Sequence, residues 1–98
     1  MDNYKIIWTS QAKQDLKNIY EYWKTKSVQG AKNVRSDILK SPKAVHFAKQ
    51  YQIDEINPNY RRIVVRSKYK ILYRVSDDAI FIMGIISTQQ STDVLKRR

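Results

Sequence analysis

The chain has 98 residues, with 19 Lys and Arg against 9 Asp and Glu, so its net charge is +10 and its isoelectric point is about 9.9. That length suits one domain, 1–98, with little room for a second core, and an apolar share of 42% is enough to pack it. The absence of cysteine excludes disulfides, thiolate metal sites and thiol nucleophiles.

No stretch approaches the roughly 20 apolar residues of a membrane span, and the opening MDNYKIIWTSQAKQDL lacks the apolar run of a secretion signal. The expectation is a soluble cytoplasmic protein with no membrane contact. A domain this basic attracts polyanions: nucleic acid, anionic lipid or an acidic protein.

In chain order, residues 4–8 (YKIIW) predict a short strand. Residues 10–26 predict a helix, with Ala12, Leu16, Ile19, Tyr20 and Trp23 on one side and Lys13, Lys17, Glu21 and Lys24 on the other; Thr9 or Ser10 can cap it. The SVQG stretch at 27–30 interrupts the pattern. Ala31, Val34, Ile38 and Leu39 then predict a second helix over 31–41, stopped by Pro42. So short a loop makes the two helices an antiparallel hairpin, with both apolar stripes on one face of a sheet.

Residues 43–59 form a connector anchored by Phe47, Tyr51 and Ile53. Strands follow at 60–66, 69–76 and 79–87, with Asp77-Asp78 as the turn between the last two. The last strand is apolar almost throughout, so it belongs in the middle of the sheet. The remainder, QQSTDVLKRR, reads as a short helix or a frayed basic end.

The first two strands of this trio carry the chemistry. Pairing Arg66 with Lys70 leaves a three-residue loop and sets Val65 opposite Ile71 and Ile63 opposite Tyr73. The other face then pairs Arg66 with Lys70, Val64 with Leu72 and Arg62 with Arg74. Like charges opposed across strands are destabilising. A cationic face for phosphates explains them; a solvated face, or arginine stems lying over the sheet edge, is the plainer account. Dispersal of these side chains around the edge would overturn the register.

Other chemistry is thin. His46, the only histidine, could act as a general base but reads more simply as a surface or partly packed residue. Asp54-Glu55 and Asp77-Asp78 could meet a hard cation but suit turns better. There is no glycine-rich phosphate loop and no nucleophile constellation, and Trp8 and Trp23 read as core. No cofactor and no metal site is expected.

An opening strand followed by SQAKQDLKNIYEY (10–22), then YQIDEINPNYRRIVVR (51–66), YKILYRV (69–75) and an apolar last strand, resembles the RelE/ParE superfamily of toxins from type II toxin–antitoxin modules. The order and spacing of the segments, over roughly 4–95, carry the resemblance more than any one motif. It implies an α/β (α+β) fold: an N-terminal helical hairpin on a twisted, mostly antiparallel four-stranded sheet. It also implies growth inhibition, a role in plasmid stabilisation and neutralisation by a cognate acidic antitoxin. RelE-like members cleave mRNA on the ribosome; ParE-like members poison DNA gyrase.

For RNA cleavage the ribose 2′-OH attacks the adjacent phosphate, and clustered cations stabilise the phosphorane. The resemblance assigns that role to Arg62, Lys70 and Arg74, with Tyr60, Tyr69 or Tyr73 as a substitute acid. Nucleic-acid binding is expected at Arg61, Arg66, Lys68, Gln89 and Gln90. Gln89 or Gln90 stands where related sequences carry a cation; an amide hydrogen-bonds a phosphate without offsetting its charge. The leading expectation is an endoribonuclease of the mRNA-interferase type. The long helical hairpin and the missing cation favour the alternative, a non-nucleolytic gyrase inhibitor. A catalytically weakened relative that keeps antitoxin binding is the third.

Overall fold

The computed structural model describes residues 4–88. Its elements are β1 (Lys5–Trp8), α1 (Ser10–Lys24), α2 (Val28–Lys40), a 3₁₀ turn (Ser41–Ala44), β2 (Arg61–Val65), β3 (Tyr69–Ser76) and β4 (Ala79–Ser87). The sheet order is β1-β4-β3-β2, with β1 parallel to β4 and the other neighbours antiparallel. β4 is therefore interior, as its apolar run predicts.

α1 ends two residues before the predicted boundary, and α2 begins three residues ahead of its own. Gly30 does not break the helix. Ser27 caps α2, its Oγ accepting from the Gly30 amide at 3.0 Å, so glycine occupies a first-turn position whose N–H is satisfied from outside the helix. Thr9 caps α1 by accepting from Ala12 N, and its hydroxyl donates to Ile82 O at 2.7 Å, tying the helix start to β4.

Ala12, Leu16, Val34 and Ile38 from the helices bury against Ile63, Val65, Tyr69, Ile71, Tyr73, Ile80, Ile82 and Ile85. Each fully buried aliphatic side chain in such a layer contributes roughly 1.5–3 kcal/mol. Trp8 and Trp23 pack at the margin of this core, half-buried.

A bulge adds Met83 to β4, because Leu72 pairs with Gly84 and Tyr73 with Ile82. Beside it the buried carboxylate of Asp15 accepts from Ile85 N at 2.9 Å, joining α1 to β4 again.

The sheet face opposite the helices is covered in part by the connector. Ile56 and Tyr60 pack over the buried pair Leu72 and Ile86. Of the predicted anchors, only Tyr51 packs on the core, edge-on to Tyr73 at 6.4 Å. Phe47 and Ile53 do not: they are 59% and 51% exposed. The connector is held instead by Val45 and by a polar turn around Asp54.

The predicted hairpin register is also corrected. Val65 pairs with Tyr69, Val64 with Lys70, Ile63 with Ile71, Arg62 with Leu72 and Arg61 with Tyr73. The turn decides this. Arg66 and Ser67 adopt left-handed φ of 57° and 58°, and Lys68 N donates to Val65 O at 3.1 Å. That conformation matches the right-handed strand twist, so 66–68 form the loop and Tyr69 enters the strand. The opposed like charges, Arg66 with Lys70 and Arg62 with Arg74, therefore do not occur.

Candidate nucleic-acid interface

The corrected register moves charge without exchanging faces. Arg62, Val64, Lys70, Leu72 and Arg74 still share the face away from the helices, but Lys70 now lies opposite Val64, and Arg62 opposite Leu72. What faces the two cations is Asp54, on the connector that crosses this side of the sheet.

Asp54 belongs to the turn I-D-E-I-N-P-N (53–59). Asp54 N donates to Tyr60 O at 2.9 Å, and Arg62 N donates to Gln52 O at 3.0 Å, so the connector runs beside the start of β2 like a short extra strand. The carboxylate is fully buried. It accepts from Ile56 N at 3.2 Å, Asn57 N at 2.8 Å, Asn57 Nδ2 at 3.1 Å and Lys70 Nζ at 2.7 Å. Arg62 lies 3.8 Å from the same carboxylate and 4.0 Å from Glu55, and it also donates to Ile53 O and Gln52 Oε1. Burial alone would raise the Asp54 carboxyl, but the hydrogen bonds from Lys70 and from the Asn57 amides outweigh it and hold it below its ordinary value of 3.8.

The remaining predicted residues diverge. Arg74 lies beyond the end of β2, exposed, with its guanidinium 4.7 Å from the centre of the Phe81 ring on the neighbouring strand. Arg61 donates to Tyr51 O at 2.7 Å. Arg66, in the turn, donates through Nε to Asp37 of α2 at 2.6 Å. Lys68 stands over the Trp23 ring at 5.2 Å. Gln89 and Gln90 lie outside the described residues.

Arg62 and Lys70 are thus brought together, but around a carboxylate. Arg61, Arg66, Lys68 and Arg74 point to other neighbours and form no cluster with them. Of the tyrosines, Tyr69 and Tyr73 are buried and Tyr60 packs over Leu72. His46 is exposed on the connector, its backbone N–H donating to Gln50. The partner of the two central cations was overlooked in the sequence. Its available signal was the spacing of Asp54 and Asn57 before Pro58, an aspartate that caps its own turn.

Comparison with known proteins decides the family. The profile of the ParE toxin of type II toxin–antitoxin systems (parDE) matches residues 6–92. The chain belongs to the ParE toxin family. Among solved structures, this ParE-family chain is similar to one from the chromosomal ParDE toxin–antitoxin system of P. aeruginosa. The two are 23% identical with a TM-score of 0.76, over 88% of this chain and 97% of that one. A chain of the YoeB-YefM complex from Staphylococcus aureus is more distant, at 17% identity and a TM-score of 0.40 over 84% of this chain and 93% of that one. No curated protein sequence matches the chain. The helical hairpin on a mostly antiparallel sheet is the ParE-like fold. Among the described residues no helix is long and apolar enough to cross a membrane.

Proposed function

We propose that this ParE-family toxin acts in the cytoplasm by poisoning DNA gyrase, and that a cognate acidic antitoxin holds it inactive. The observation that supports gyrase over RNA cleavage is the commitment of Lys70 and Arg62 to the buried Asp54. Phosphodiester cleavage needs cations free to meet the developing charge of the phosphorane. Withdrawing Lys70 from Asp54 would leave a buried carboxylate without its closest cation, at a cost of about 3–5 kcal/mol. A gyrase poison needs a binding surface and no general acid or base, and a chain of charge +10 with Arg74 and Lys68 exposed supplies one. The same charge favours an acidic antitoxin.

The mRNA-interferase reading keeps one supporting feature, the exposed Arg74 on the face of Arg62. Induced expression without antitoxin separates the readings. Gyrase poisoning predicts growth arrest with covalent gyrase–DNA complexes and intact messages. Messages cut at ribosome-occupied codons, or harmless expression, would overturn it.

A further inference from the structure

Away from Asp54, a hollow lies between the end of α1, the β2–β3 turn and the end of β4. Its volume is about 460 Å³, and Asn18, Tyr22, Trp23, Lys26, Lys68 and Tyr69 are among the residues lining it. Tyr22 and Trp23 meet nearly at right angles, with ring centres 6.2 Å apart, and so form an aromatic corner. Each ring carries a lysine: Lys26 Nζ is 5.2 Å from the Tyr22 centre, and Lys68 Nζ is 5.2 Å from the Trp23 centre. Trp23 is fixed in place, its Nε1 donating to Tyr69 Oη at 2.7 Å, whereas Tyr22 is 57% exposed. Among the described residues neither lysine meets a carboxylate.

Consecutive aromatic rings, each with an ammonium group over it and, among the described residues, no carboxylate beside that ammonium, supply what an unpaired nucleotide needs: a ring face for the base and cations for the phosphate. We propose that this hollow binds a nucleoside phosphate, presented as one unit of a single DNA strand. The base stacks in the Tyr22–Trp23 corner, and Lys26 and Lys68 move from the rings to the phosphate. That exchange is favourable, because a lysine resting on an exposed ring is held more weakly than a stacked base. An acidic peptide fits less well. A carboxylate answers the lysines but leaves the corner uncovered, and the hollow is larger than one side chain fills.

The test follows the two tryptophan indole resonances of the purified chain by NMR. Titration with a short oligothymidylate is expected to shift the Trp23 indole saturably and leave Trp8 in place. Binding should weaken about ten-fold in Tyr22→Ala and in the Lys26→Ala/Lys68→Ala pair. All three side chains are exposed, so the fold is retained. Thymidine monophosphate should shift the same resonance more weakly than the strand; equal affinity would overturn the strand and leave a free nucleotide as the ligand. An equal response to a duplex or to oligoglutamate, or unchanged binding in the variants, would overturn the site itself. The measurement involves no gyrase, so it stands or falls separately from the toxin's target.

Discussion

Asp54 is a carboxylate that the fold cannot leave alone. It is fully buried, and its lowered pKa means that the folded state prefers it charged. A depressed carboxyl contributes stability that is present above the unfolded value near 4 and is lost as pH falls through the folded value. Acid unfolding is therefore expected to begin below about pH 4 through this residue. Lys70→Ala should lower stability by about 3–5 kcal/mol and move the acid transition upward, as seen by circular dichroism against pH and denaturant. Wild-type stability in Lys70→Ala would mean that the ion pair holds nothing together.

Tyr73 shows the opposite case. Its hydroxyl is buried with no hydrogen-bond partner among the described residues. Burial, outweighing the charge of Arg61, pushes its pKa from 10.0 up to about 12. A raised acid contributes fully below pH 10 and loses its contribution as pH rises toward 12. Tyr73→Phe should hold or raise stability, by up to about 1 kcal/mol, and remove that alkaline loss. A drop of several kcal/mol would show that the hydroxyl has a partner. Neither environment was legible in the sequence. Alternation marked Tyr73 as inward-facing, but which polar atoms close on one another depends on contacts made by the connector, far away in the chain.

The elements themselves were more legible than their register. Helical spacing located both helices, and apolar runs located all four strands, because burial acts through those periods directly. The hairpin register was not fixed by the same signal. A side-chain pattern of period two looks identical when the pairing slips by two residues, so face matching accepts Arg66 opposite Lys70 as readily as Val64 opposite Lys70. What distinguishes them is the left-handed backbone at Arg66 and Ser67, residues that carry no glycine or asparagine signal for that conformation.

Joining helix to sheet also rests on a polar contact that periodicity misses. Asp15 sits among apolar positions of α1 because the bulged strand β4 presents the Ile85 amide to it. Asp15→Ala should leave that amide without this acceptor and lower stability by about 1–3 kcal/mol in urea unfolding, whereas Asp15→Asn keeps an acceptor and should recover most of the loss. Equal destabilisation by both would point to charge rather than the hydrogen bond.

Over the whole molecule, charge is the property read most directly from sequence and the one that structure divides most unevenly. Arg62, Arg66 and Lys70 are matched to Asp54, Glu55 and Asp37. Lys26, Lys68 and Arg74 lie exposed over aromatic rings, so they act outward. Internal pairs leave the net charge of +10 unchanged, but they decide which cations a partner meets. An acidic antitoxin approaching such a surface is steered by unpaired charge before any contact forms, and salt screens that attraction within a Debye length of about 10 Å at 0.1 M. The association rate with the antitoxin should therefore fall by about ten-fold or more between low and high salt, while dissociation changes little. Stopped-flow mixing over a salt series measures both. Neutralising Lys26 and Lys68 should flatten the association slope, whereas replacing Arg66 and Asp37 together by alanine, which leaves the net charge at +10, should leave it nearly unaltered. A slope that fell as much on loss of the Arg66–Asp37 pair would mean that the antitoxin is not steered by the cations the fold leaves exposed.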